Sequence, residues 1–93
     1  MSDFNQELSV TVAGVTAIGK SPYGEVAVYA EGSTTAVFGW MTSADVFVPF
    51  ENGTITGDGA IVLDCGRNVE LAVNVTGVPA KIYSRGIRNA PGS

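Results

Sequence analysis

Alternation of apolar and polar residues dominates the chain. Leu8, Val10 and Val12 alternate with Glu7, Ser9 and Thr11, and farther on Val69, Leu71, Val73 and Val75 alternate with Asn68, Glu70, Ala72, Asn74 and Thr76. A period of two marks a strand with one buried and one wet face, because successive side chains of extended backbone point to opposite sides. Between these segments the pattern predicts strands over Val26 to Ala30, Thr34 to Met41, Asp45 to Phe50, Thr54 to Thr56 and Ala60 to Cys65, and a last strand follows over Ala80 to Arg85. The intervening residues are turn formers. Ser21-Pro22-Tyr23-Gly24 puts proline second in a turn, Asn52-Gly53 is a two-residue hairpin signal, and Gly57-Asp58-Gly59 and Gly66-Arg67-Asn68 offer residues that tolerate positive φ. No stretch carries a convincing helical period; residues 2 to 7 form either one helical turn, capped by Ser2 or Asp3, or an extended arm. The expectation is an all-β chain: a single compact antiparallel β-sandwich or small β-barrel of about eight short strands. An N-terminal arm at 1–6 and a C-terminal tail at 86–93 complete it.

Composition supports this. Valine, isoleucine and threonine together number 26 against three leucines, and β-branched side chains suit a pleated sheet better than a helix. One segment recurs: Glu7-Leu8-Ser9-Val10-Thr11-Val12-Ala13-Gly14-Val15 matches Glu70-Leu71-Ala72-Val73-Asn74-Val75-Thr76-Gly77-Val78 at six of nine positions. This reads either as two strands in equivalent environments or as coincidence within a small Val-rich alphabet. The 93 residues are enough for one domain. With no histidine and a single cysteine, histidine catalysis, His-built metal sites and an internal disulfide are disfavoured. No apolar run approaches a membrane span and Met1 to Glu7 lack the layout of a signal peptide, so the expectation is synthesis in the cytoplasm without membrane insertion.

Nine acidic and five basic residues give a net charge of −4, which would repel phosphates and argues against nucleic acid as a partner. The charges are segregated along the chain. Up to Gly66, Lys20 alone stands against eight acids; from Arg67 onward Arg67, Lys81, Arg85 and Arg88 stand against Glu70.

Candidate chemistry is thin. Ala60-Ile61-Val62-Leu63-Asp64-Cys65-Gly66 is similar to the apolar-Asp-Thr/Ser-Gly signature of aspartic proteases, in which two carboxylates share a proton. Cys65 replaces the hydroxyl residue and only 27 residues follow, so the segment is read as a strand end entering a glycine turn. Cys65 has no histidine to activate it and reads as a small buried residue. Asn52-Gly53-Thr54 and Asn74-Val75-Thr76 match the glycosylation sequon but are most simply a turn and a strand face. The carboxylates Glu25, Glu31, Asp45, Glu51 and Asp58 fall singly, without calcium-loop spacing. No catalytic residue, metal or cofactor is expected, and the chain is not expected to be an enzyme.

Interaction is the better expectation. The charged residues make up 15% of the chain, well below the roughly 25% usual in soluble proteins. Apolar surface should remain exposed and mark an interface. Phe38 and Trp40 share one face of their strand with Thr34 and Ala36, while Val37 and Met41 occupy the other, so that strand is central or meets another subunit. Lys81, Tyr83 and Arg85 alternate on one face of the last strand, with Ile82 opposite and Arg88 following. Lys81, Arg85, Arg88, Phe38 and Trp40 are therefore the candidate docking residues, with the acidic body at Glu25, Glu31 or Asp45 of a neighbouring copy as a complement.

At the level of class, the Val-Thr-Gly strands such as Glu70 to Val78, the acidic start Met1 to Glu7 and the small-residue tail Asn89-Ala90-Pro91-Gly92-Ser93 resemble small virion proteins of tailed bacteriophages. That resemblance implies a capsid decoration or cement protein located in the virion, with copies of itself and a major capsid protein as partners. The alternative is a receptor- or glycan-binding β module of a fibre or adhesin, using Trp40 and the tyrosines as stacking platforms.

Overall fold

A computed structural model of the chain describes residues 5–21, 24–32, 35–66 and 68–87. Residues 1–4 of the expected arm, the centre of the Ser21-to-Gly24 turn, Arg88 and the rest of the tail lie outside them. The described residues form β1 (Asn5–Val10), β2 (Gly14–Lys20), β3 (Glu25–Glu31), β4 (Thr35–Met41), β5 (Phe47–Thr56), β6 (Gly59–Asp64), β7 (Glu70–Thr76) and β8 (Ala80–Ile87). These make two four-stranded antiparallel sheets: a front sheet in the order β1-β8-β3-β6 and a back sheet in the order β2-β7-β4-β5.

One rule generates both orders. β4 pairs with β5, β3 with β6, β2 with β7 and β1 with β8. The chain is thus one long hairpin turned between β4 and β5, rolled so that successive pairs alternate between sheets, and closed by β3 against β8 and β4 against β7. Of the two expected architectures this is the sandwich, and its path is that of an eight-stranded jelly roll.

Between the sheets lies the core. The interior strands supply most of it: Val26, Val28 and Ala30 from β3, Ala36 and Phe38 from β4, Leu71, Val73 and Val75 from β7, and Ile82 from β8. The edge strands add Val10, Ile18, Ile55 and Leu63. Each large side chain so placed contributes about 1.5–3 kcal/mol by leaving water.

Two local expectations are corrected and a third point is decided. β2 was not expected as a strand: its inward positions are Thr16 and the buried Ile18, its outward ones Val15 and Ala17, and a register shift between Ala17 and Gly19 breaks the period. The strands expected at Asp45 to Phe50 and Thr54 to Thr56 are one strand, β5, and Asn52-Gly53 is not a hairpin turn. Val37 faces Thr54 and Gly39 faces Pro49, so Phe38 stands opposite a bulge running from Phe50 to Gly53. Glycine is required there because a Cβ on Gly53 would lie 2.6 Å from the Phe38 carbonyl oxygen. The hairpin turn is at Thr42 to Val46 instead. The Asp45 N–H donates to the Thr42 carbonyl at 2.9 Å, the Thr42 N–H to the Val46 carbonyl at 2.9 Å, and Asp45 takes φ 63°, as in a three-residue hairpin loop ending in a left-handed residue. Finally, of the two readings of the recurrent segment the structure supports coincidence, because its two copies do not occupy equivalent environments. β1 is an edge strand that ends at Val10, leaving Val12 74% exposed, whereas its counterpart Val75 is 1% exposed on an interior strand.

Candidate binding surfaces

The docking residues expected from sequence are dispersed. Phe38 is 1% exposed at the centre of the core, on the interior strand between β7 and β5, so it is removed from the docking set. Trp40 faces the same way, across from Leu71 on β7 and Val48 on β5, and is half-buried. Lys81 and Arg85 are exposed on β8 with Ile82 buried between them, as the alternation predicts. β8 is not an edge, however; it lies between β1 and β3. Arg88 lies outside the described residues.

The sheet also undoes the charge segregation of the sequence. Lys81 is in register with Glu31, and Tyr83 with Glu7. The outer face of the front sheet therefore interleaves Lys81 and Arg85 with Glu7, Glu25, Glu31 and Asp64, and no basic patch forms among the described residues.

At the middle of this face, Tyr29 of β3 and Tyr83 of β8 stand directly opposite each other. Their ring centroids are 5.7 Å apart and the planes are tilted by 45°, within the separation at which aromatic rings attract one another. The Tyr83 hydroxyl donates to Glu31 Oε1 at 3.4 Å. The Tyr83 phenol is held above its ordinary value, first by desolvation and then by the carboxylates of Glu7 and Glu31, so it remains a donor. Beside the rings a shallow groove of about 540 Å³ is floored by Ala27 and Ala60 and flanked by Glu7 and Arg85. A second hollow of about 520 Å³ lies on the other side, lined by Ser9, Thr11, Glu31, Asp58 and Lys81 among others. The sequence offered both tyrosines as aromatics; their pairing depends on a register that alternation alone does not reveal.

The outer face of the back sheet is different in kind. Val15, Asn74, Val37 and Thr54 form one row across four strands, and Ala17, Ala72, Gly39 and Pro49 the next. The Phe47 ring lies across Gly39, where a Cβ would come within 2.9 Å of its Cε1. Charge enters at the margin, where Lys20 Nζ and Glu70 Oε1 are 3.9 Å apart and both more than half exposed. Such a pair contributes at most about 1 kcal/mol. Sequence reasoning missed this face because β2, which completes it, was not recognised.

Asp64 ends β6 as an exposed residue in register with Glu25. Cys65 beside it belongs to a strap joining the loop before β3 to the loop before β7. The Cys65 and Gly66 N–H groups donate to the Gly24 carbonyl at 2.9 and 3.0 Å, and the fully buried Ser21 hydroxyl donates to the Gly66 carbonyl at 2.6 Å while accepting from the Val69 N–H at 3.3 Å. Gly66 and Asn68 take φ 85° and 59°, which sharpens this corner. The Cys65 thiol lies 3.7 Å from the Gly24 carbonyl oxygen. Burial pushes it above its ordinary value, partly offset by hydrogen bonding to Ser21, which makes it a poor nucleophile. Among the described residues no three His, Cys, Asp or Glu side chains are grouped to hold a metal ion.

The chain matches no family model, no curated protein and no solved structure.

Proposed function

We propose that this chain is a non-enzymatic structural protein of a viral particle, a capsid decoration protein that stabilises the shell through protein–protein contacts. The observation that carries the reading is the outer face of the back sheet, where two successive rows across four strands hold only small, apolar and neutral polar side chains. A contiguous face of this kind favours burial against another protein surface, and each contact it makes adds binding free energy to the assembled state alone. The jelly roll supports the reading by analogy of fold, since capsid domains use it, as lectins do. In this reading the back sheet meets the shell or a second copy, and the charged front sheet faces outward. Lys81 and Arg85 then steer rather than anchor, because Glu31 and the other acids of the same face already offset them.

The test is the protein content of purified virions of the virus that encodes the chain. Mass spectrometry should find the chain in many copies per particle, and Val15→Glu, at a position 46% exposed on an edge strand, should reduce that copy number while leaving the thermal unfolding of the free chain unchanged. Absence of the wild-type chain from intact particles overturns the proposal.

A further inference from the structure

We propose that the outer face of the front sheet is a binding site for a neutral oligosaccharide, with Tyr29 as its stacking platform. This does not depend on the particle reading, because it concerns the opposite face of the sandwich.

Four observations converge on saccharide chemistry. First, Tyr29 is 36% exposed and held in place by Tyr83, so a ring face is presented without having to be ordered on binding. Pyranose rings carry a patch of C–H groups on one face, and a fixed aromatic ring is their natural counterpart. Second, the floor beside that ring is made of Ala27 and Ala60, small enough to let a flat ligand lie on the sheet. Third, polar side chains stand around the groove rather than beneath it: Glu7 and the Tyr83 hydroxyl, whose proton goes to Glu31, accept, and Arg85 donates, so hydroxyl groups of either polarity can be satisfied. Fourth, the volume of about 540 Å³ lies in the range of small-ligand sites, and the hollow of about 520 Å³ beyond the Tyr83 and Glu31 pair extends the surface past a single sugar ring.

Charge selects the class. Among the described residues, Glu7, Glu25, Glu31, Asp58 and Asp64 outnumber Lys81 and Arg85 on and beside this face. A sialylated or sulfated glycan, or a nucleic acid, would meet net repulsion, whereas a neutral sugar would not.

The experiment is an NMR titration of the ¹⁵N-labelled full chain with cellotriose, maltotriose, mannotriose and chitotriose, each carried into the millimolar range, with sialyllactose as the anionic control. At least one neutral trisaccharide should shift the amides of Glu7, Ala27, Tyr29, Ala60, Tyr83 and Arg85, and sialyllactose should not. Tyr29→Ala should weaken that binding by about tenfold, the upper end of an aromatic contact, while Tyr29→Phe, which keeps the ring, should stay within about threefold. Ala60→Trp, at an exposed position on edge strand β6 directly across from Tyr29, fills the groove against that ring and should abolish binding with both tyrosines still in the chain. The proposal fails if no neutral trisaccharide shifts these amides, if sialyllactose binds as well as they do, or if binding survives both Tyr29→Ala and Ala60→Trp in folded protein.

Discussion

Replacing Phe38 with alanine separates a core role from a docking role most sharply. Phe38 is 1% exposed, lies on an interior strand in register with Val73, and is the largest of the fully buried side chains. Its truncation loses the transfer free energy of the ring and leaves a cavity that the paired strands on either side keep from collapsing, a combination that costs about 3–5 kcal/mol. A domain of this length is stable by only about 5–14 kcal/mol, so the variant should lose about a fifth or more of its stability. In urea, with a slope of about 1–3 kcal/mol per molar, the unfolding midpoint should fall by roughly 1–5 M. The single tryptophan, Trp40, is half-buried and reports unfolding by fluorescence; far-UV circular dichroism supplies a second probe that should give the same midpoint. Val62→Ala, at a position 60% exposed on β6, is the control and should cost no more than about 0.5 kcal/mol. A midpoint shift below about 0.5 M for Phe38→Ala, at unchanged slope, would refute the placement of this ring in the core and restore it as a surface contact.

Ser21→Ala removes a buried hydroxyl that bridges the Gly66 carbonyl and the Val69 N–H, and should cost about 1–3 kcal/mol, read as a lower thermal midpoint; an unchanged midpoint would mean the strap contributes nothing. Asp45 holds φ 63° in the β4–β5 turn, so Asp45→Gly should be neutral or slightly stabilising and Asp45→Val should cost about 1–2 kcal/mol, with equal stabilities of the two variants counting against the turn geometry. Because burial raises the Cys65 thiol, alkylation by iodoacetamide should be slow at neutral pH and reach half its plateau rate at a higher pH than a free thiol. The same shift contributes stability that is fully present below the unfolded thiol's pKa and is lost as pH rises through the folded value; Cys65→Ala should flatten that alkaline decline.

Sequence alone determined the class of fold. Two-residue alternation in Glu7 to Val10 and Asn68 to Thr76, β-branched composition and turn residues at short intervals were enough to specify an antiparallel β-sandwich or barrel, because strand periodicity is a local property of the backbone. The outward placement of Lys81 and Arg85 was legible for the same reason. Pairing was not. Which strands are edges, that β8 lies inside its sheet, that Tyr29 meets Tyr83, and that Lys81 meets Glu31 are consequences of register between segments 50 or more residues apart in the chain. Where a local signal competed with packing, packing prevailed. Asn52-Gly53 has the chemistry of a hairpin turn, but Gly53 is taken up by the close approach of the Phe38 carbonyl, and the turn falls to Asp45, which tolerates the left-handed conformation. β2 escaped notice because an edge strand of a sandwich can place Thr16 inward and Val15 outward when neighbouring strands supply the core. Both candidate binding faces are assembled from four strands each, so their chemistry exists only once the long hairpin has rolled and set the strands side by side.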